Sequence, residues 1–203
     1  MLCPVLSPKN LQEAVPSEEE LPRLLAACRE SRTPLLYPIV VIALSTGGRK
    51  NEIRKLQWPH VDFAAGVLRF LKTKTHVPRS VPLLGEARTL LEALAQHRRP
   101  EVLWVFPSAR KEDTQPLFID YAWTQAVKAS GIAPCRFHDL RHTFASYMAM
   151  SNASLRDLAE VLGHQKLQHT MAYSHLLPSH TASMVERMGA QFLSQEGGFD
   201  DHV

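Results

Sequence analysis

Leu21, Leu24, Leu25 and Cys28 recur at helical spacing behind Ser17-Glu18-Glu19-Glu20, a capping-box pattern, and together they predict a first helix. Leu35–Thr46 is apolar on nearly every side, as a helix surrounded by protein would be, and Gly47-Gly48 ends it. Arg49 to Leu56 predicts a short helix with Ile53 and Leu56 inward, closed by Trp58-Pro59. The period then drops to two. Val61–Phe63, Val67–Leu71 and Arg79–Pro82 predict three short strands, with turns at 64–66 and 75–78. Helical spacing returns over Glu86–His97, where Leu90, Leu91 and Leu94 share a face, and over Leu117–Ser130, stopped by Gly131. Between them Trp104–Pro107 is a short apolar segment that runs into a polar loop over 108–115.

Two further helices follow. From His138, Leu140, Phe144, Tyr147 and Met148 gather on one side, and His138, Arg141, His142 and Ala145 on the other. The apolar side is expected to anchor the helix and the polar side to face outward. Ser154 and Asp157 then cap a helix with Leu155, Leu158, Val161 and Leu162 inward, and Gly163 suits a left-handed C′ position. A last helix is expected over 179–194, with Val185, Met188 and Phe192 on one face. These elements predict an α+β fold, predominantly α-helical, with one small three-stranded antiparallel sheet. Residues 1–16 are expected to be a linker or arm, 17–195 the folded unit and 196–203 a flexible tail.

Composition narrows the classes. With 203 residues and 45% hydrophobic content the chain can bury a core. The net charge of +3 is too small to argue for nucleic acid by itself, but location matters. Arg49, Lys50, Arg54, Lys55, Arg69, Lys72, Lys74 and Arg79 crowd residues 49–79, opposed by Glu52 and Asp62. Three scattered cysteines, without a C-x-x-C pair, argue against a disulfide framework or zinc ribbon and fit a reducing cytoplasm. No apolar run approaches a membrane span, and the first residues do not form a secretion signal.

The candidate chemistry lies in Arg136–Tyr173, which offers His138, Arg141, His142, His164 and Tyr173: cations, proton carriers and a potential oxygen nucleophile. Each has an ordinary alternative. The first three could form a solvated helix face, His164 could cap the preceding helix, and Tyr173 could be a packing residue, since a phenol is protonated at neutral pH. His138 and His142 stand at i and i+4, as in a zinc hydrolase, but Arg141 lies between them and would repel a dication.

Five segments in order give the chain a resemblance to the catalytic domain of the tyrosine recombinase (phage integrase) family. They are Thr46-Gly47-Gly48-Arg49-Lys50-Asn51-Glu52; Lys72-Thr73-Lys74 before Arg79-Ser80-Val81-Pro82-Leu83; His138-Asp139-Leu140-Arg141-His142; Leu162-Gly163-His164; and Tyr173-Ser174-His175. The resemblance implies a site-specific DNA recombinase acting through a 3′-phosphotyrosine intermediate, with Tyr173 as nucleophile. Arg49 and Arg141 would grip the non-bridging oxygens and His164 would donate a further hydrogen bond. Lys74 would protonate the leaving 5′-oxygen, with Lys72 competing for that role. His138 would accept the tyrosine proton or contact the phosphate. Glu52 and His142 are expected to support the site, and Lys50, Lys72 and Arg79 to contact DNA. Neither metal nor nucleotide cofactor is implied. The partners would be double-stranded DNA and, during recombination, four protomers on two duplexes. Gly48 departs from the larger apolar residue usual in the family. No counterpart of the family's N-terminal clamp domain is read in this chain, which implies weak DNA binding with little sequence choice. A non-catalytic DNA-binding remnant, or a type IB topoisomerase-like relaxase, would share many of these features.

Overall fold

The computed structural model describes residues 16–71, 78–109, 114–177 and Met188. The expected last helix, the tail, the hairpin tip carrying Lys72 and Lys74, and residues 1–15 lie outside the described residues, Met188 excepted.

The capping box forms as predicted. The Glu20 backbone N–H donates to Ser17 Oγ at 3.2 Å and the Ser17 N–H donates to Glu20 Oε2 at 2.9 Å, which starts helix α1, Glu20–Arg29. Helix α2, Leu36–Thr46, is the centre of the core: from Leu36 to Ala43 every side chain is buried. Its packing against α1, against α4 (Gly85–Gln96) and against α6 (Asp139–Met150) explains why its sequence is apolar all round. Gly47 ends it at φ 60°, and a Cβ there would sit 2.5 Å from the Phe144 ring, so both conformation and space require glycine. At Gly48 a Cβ would lie 2.8 Å from Ile53 and 3.1 Å from Phe70. The room a larger residue would need is thus filled by these two side chains.

Helix α3 is shorter than predicted, Lys50–Arg54, because Arg49 is extended (φ −71°, ψ 150°) and serves as its N-cap. A 3₁₀ turn at Trp58–His60 leads into the sheet: β1 Val61–Asp62, β2 Val67–Phe70 and β3 Arg79–Pro82, antiparallel in the order β1-β2-β3. The register pairs Val61 with Leu68, Leu68 with Val81, and Phe70 with Arg79. Leu68, Phe70, Arg79 and Val81 are buried, the period-two face of a sheet packed on one side. Helix α5 is Asp120–Ser130. Leu117, expected inside it, instead donates its N–H to the Phe106 carbonyl at 2.8 Å, as the chain pairs with the Val105–Pro107 segment before turning helical.

Helix α6 departs from its predicted orientation. The side expected to face outward is partly turned in: Arg141 is 4% exposed and Ala145 fully buried, while His142 is part-buried and His138 exposed; on the apolar side Leu140 is fully buried, but Phe144, Tyr147 and Met148 are only partly so. The helix lies between two apolar clusters. Leu140 belongs to the main core, and Ala145 and Ala149 to a second cluster with Leu158, Leu162 and Tyr173. A helix wedged between two cores buries residues on both of its sides, so Arg141 ends up inside. Helix α7, Leu155–Leu162, starts on the Ser154/Asp157 capping box and ends at Gly163, φ 65°. Two 3₁₀ segments, Leu167–His169 and Met171–Leu176, carry the chain back across α7 and α6. Among the described residues no helix is long and apolar enough to cross a membrane.

Candidate active site

Three helix ends meet at one place. Gly47 and Gly163 terminate α2 and α7, and Arg49 begins α3. Arg141, from the first turn of α6, joins the first two: its Nη1 donates to the Gly47 carbonyl at 2.7 Å and its Nη2 to the Leu162 carbonyl at 2.6 Å. Both oxygens are C-terminal helix carbonyls without an intrahelical partner, the negative end of each helix dipole. Burial, followed by the charges of Arg49 and Arg79, lowers the Arg141 pKa to about 9. The group therefore stays cationic at neutral pH.

Glu52 anchors the other arginine. Its Oε2 accepts from the Arg49 backbone N–H at 2.8 Å, and its Oε1 lies 3.2 Å from Arg49 Nη1. It also binds Arg79 in a two-pronged pair, Nη1 to Oε1 at 3.1 Å and Nη2 to Oε2 at 2.7 Å. Burial would raise the Glu52 carboxyl, but the Arg79 hydrogen bonds and charge, with the Arg49 N–H, hold it down to about 2. Arg79 was expected at the DNA surface. It is buried instead: its Nε donates to the Val161 carbonyl at 2.8 Å and its guanidinium sits 4.6 Å from the centre of the Phe70 ring. The cause is the strand period, since Arg79 shares the inward face with Val81. Arg79 thereby ties β3 to the end of α7 and to Glu52. Lys50, also expected on DNA, is part-exposed and paired with Asp120 at 2.5 Å.

His164 follows Gly163, its backbone N–H bonded to the Ala159 carbonyl at 2.8 Å. Its Nδ1 lies 2.9 Å from the hydroxyl of the fully buried Thr170. With the Thr170 hydroxyl donating, the ring proton sits on Nε2, leaving an N–H to aim at a ligand. Nothing in the sequence singled out Thr170. Tyr173 is 3% exposed within the second cluster, and its phenolic oxygen lies 2.6 Å from His142 Nδ1. The rings of His138 and His142 meet edge to face at 5.2 Å. His138 is exposed and, with Arg49 and Lys50, lines an open cleft of about 910 Å³ that also borders Arg69 and Trp123.

The groups sense one another electrically. Although His138 opens to the cleft, desolvation by the protein packed around its ring, His142 included, comes first and, with the charges of His142, Arg141 and Arg49, lowers it to about 4. Burial first, then Arg141, Arg49, His169 and Arg79, lower His164 to about 3. Burial raises the Tyr173 phenol to about 12, against the pull of Arg141. Three guanidiniums, Arg49, Arg79 and Arg141, share the single Glu52 carboxylate, and the net positive charge left beside neutral imidazoles is suited to a tetrahedral oxyanion. Asp139, beside His138 in the sequence, is turned onto the backbone N–H of Arg136 at 2.7 Å, and among the described residues no group of three His, Cys, Asp or Glu could hold a metal ion.

The same shifts set the acid stability. The two histidines bind protons less readily folded than unfolded, where they titrate near 6.5, and Glu52 titrates at about 2 against 4.5 unfolded. At low pH the unfolded chain therefore takes up more protons than the folded one. We expect the melting temperature to hold steady above about pH 6.5, to fall as the pH drops from there toward 3 as the histidines charge, and to fall further below 4.5 as Glu52 protonates. A melting temperature unchanged between neutral pH and about pH 4 would contradict the assigned histidine environments.

The model of the "Phage integrase family" matches residues 15–180. The integrase of Salmonella phage P22 is 29% identical over 202 residues, covering 93% of this chain and 50% of the relative. A shufflon-specific DNA recombinase of Escherichia coli is 30% identical over 161 residues, covering 79% and 39%. The structure of the catalytic domain of bacteriophage HP1 integrase superposes with a TM-score of 0.70 at 31% identity, covering 88% of this chain and 96% of that one. The chain spans half or less of the length of the two relatives.

Proposed function

This chain belongs to the phage integrase family, and we propose that residues 17–195 form the catalytic unit of a site-specific recombinase that breaks and rejoins double-stranded DNA through Tyr173. The observation that carries this reading is the convergence of Arg49, Arg141 and His164, drawn from three helix ends, on one site beside the buried Tyr173 phenol.

In this reading a DNA phosphate enters from the Arg49 and His138 side, where the cleft is open. Arg49 and Arg141 hold its non-bridging oxygens, and His164 donates through Nε2. The Tyr173 oxygen attacks phosphorus. An Oη–P bond forms as the P–O5′ bond breaks, and the departing 5′-oxygen takes a proton, which we assign to Lys74 on the hairpin. The 3′-phosphotyrosine keeps the energy of the phosphodiester, so the reverse attack by a 5′-hydroxyl reseals a strand without metal or nucleotide. His138 completes the phosphate contacts. Lys50, released from Asp120, and Lys72 are placed on the flanking backbone. Recombination would engage four protomers on two duplexes.

The test is a nicked duplex whose cleavage releases a short strand and so traps the intermediate. Incubated with the chain and resolved on a denaturing gel, it is expected to yield a protein–DNA adduct that persists in chelator. DNA binding without any adduct would sink the proposal.

A further inference from the structure

His142 takes no part in gripping the phosphate as set out above, yet it makes the closest polar contact of the nucleophile. We propose that His142 is the catalytic base of Tyr173, taking the phenolic proton on Nδ1 as Oη bonds to phosphorus. The assignment rests on the recombinase reading and goes beyond it, because that reading leaves the proton without a destination.

The geometry is direct. The Tyr173 oxygen and His142 Nδ1 are 2.6 Å apart, within the reach proton transfer requires. The two ring centres lie 6.1 Å apart at a tilt of 39°. Of the two roles expected for His138, accepting the tyrosine proton or contacting the phosphate, its position favours the second, since its ring stands edge-on to that of His142 on the cleft side. Being four residues apart, the two histidines follow one face of α6, and the inner of the two meets the Met171–Leu176 segment that carries Tyr173.

The charge state agrees. Burial lowers the His142 pKa below its ordinary 6.5; Asp139 opposes this, while Arg141 and Arg136 add to it. The imidazole is therefore neutral at physiological pH. With its proton on Nε2, the Nδ1 lone pair points at the phenol. The phenol, raised to about 12, still carries its proton. In the cleavage step Oη–P forms, P–O5′ breaks, and the phenolic proton moves to Nδ1. The resulting imidazolium is opposed by Arg141 and Arg136 and favoured by Asp139 and by the incoming phosphate. In the resealing step the same imidazolium returns the proton to the departing tyrosine oxygen.

Two measurements on the full chain test this. The first is the single-turnover rate of adduct formation on the trapped substrate as a function of pH. Wild type is expected to be nearly flat above about pH 7, because its base is already neutral. His142→Ala should be about 10²–10⁴-fold slower at neutral pH and regain about tenfold per pH unit as the phenolate forms unaided. Free imidazole should restore part of that rate. His142→Gln can accept the phenolic hydrogen bond but not its proton, so it should behave as the alanine variant does. A glutamine variant with wild-type rate and flat profile would reduce His142 to a positioning residue and overturn the proposal, as would an alanine variant with a flat profile. The second measurement needs no DNA. The ¹⁵N resonance of His142 Nδ1 should shift in Tyr173→Phe, and an unmoved resonance would refute the contact. Failure of the parent reading looks different: wild type itself then forms no adduct, whatever the resonance does.

Discussion

Arg141→Ala is expected to slow strand cleavage about 10²–10³-fold, as the loss of one preorganised oxyanion donor does, and to cost about 2–4 kcal/mol of stability as well. The two effects share a cause. One guanidinium fills the gap between the ends of α2 and α7, donating to Gly47 and Leu162 from a site 4% exposed. Deleting it leaves two buried carbonyls without partners, partly offset by no longer burying a charge. Arg141→Lys should rescue little of either, since one ammonium cannot span both carbonyls and a phosphate in a planar fork. Urea unfolding and single-turnover cleavage of the same samples separate the two losses. A variant that loses cleavage but keeps wild-type stability would mean that the carbonyl contacts do not hold the helix ends.

Glu52→Ala is expected to be the most destabilising change at the site, at about 3–5 kcal/mol. The carboxylate and Arg79 are both nearly inaccessible, at 6% and 5% side-chain exposure. Removing Glu52 strands the Arg79 guanidinium inside the protein and leaves the backbone N–H of Arg49, the N-cap residue of α3, without its carboxylate acceptor. Replacing both partners together, as Glu52→Leu with Arg79→Met, should recover much of the loss, because the lone buried charge is gone. Cleavage should stay impaired in the double variant, for Arg49 has lost its anchor. The check is denaturant midpoint for the single and double variants. A single-variant cost below about 1 kcal/mol would contradict a buried pair.

What the sequence allowed and what it hid divide along physical lines. Capping boxes, terminating glycines and apolar spacing are local, so Ser17/Glu20, Ser154/Asp157, Gly47 and Gly163 were legible, and with them the three-stranded sheet. The order of the five segments made the candidate site residues recognisable, although their convergence is a property of the fold. On α6 periodicity reports one apolar stripe, whereas the helix touches two cores, so Arg141 and Ala145 are buried along with Leu140. The charge of Arg79 suggests a DNA contact, but the strand alternation already puts it on the buried side with Val81. Thr170 and the His142–Tyr173 contact had no spacing signal at all, since each is made by the 3₁₀ return of the chain over α6 and α7.

The most direct test of the account is the identity of the linking atom. The trapped adduct, digested with protease and nuclease and analysed by fragmentation mass spectrometry, should carry a nucleotide through its 3′-phosphate on Tyr173, and Tyr173→Phe should give no such peptide. A nucleotide found on another residue, joined through a 5′-phosphate, or still formed by Tyr173→Phe would contradict the central claim.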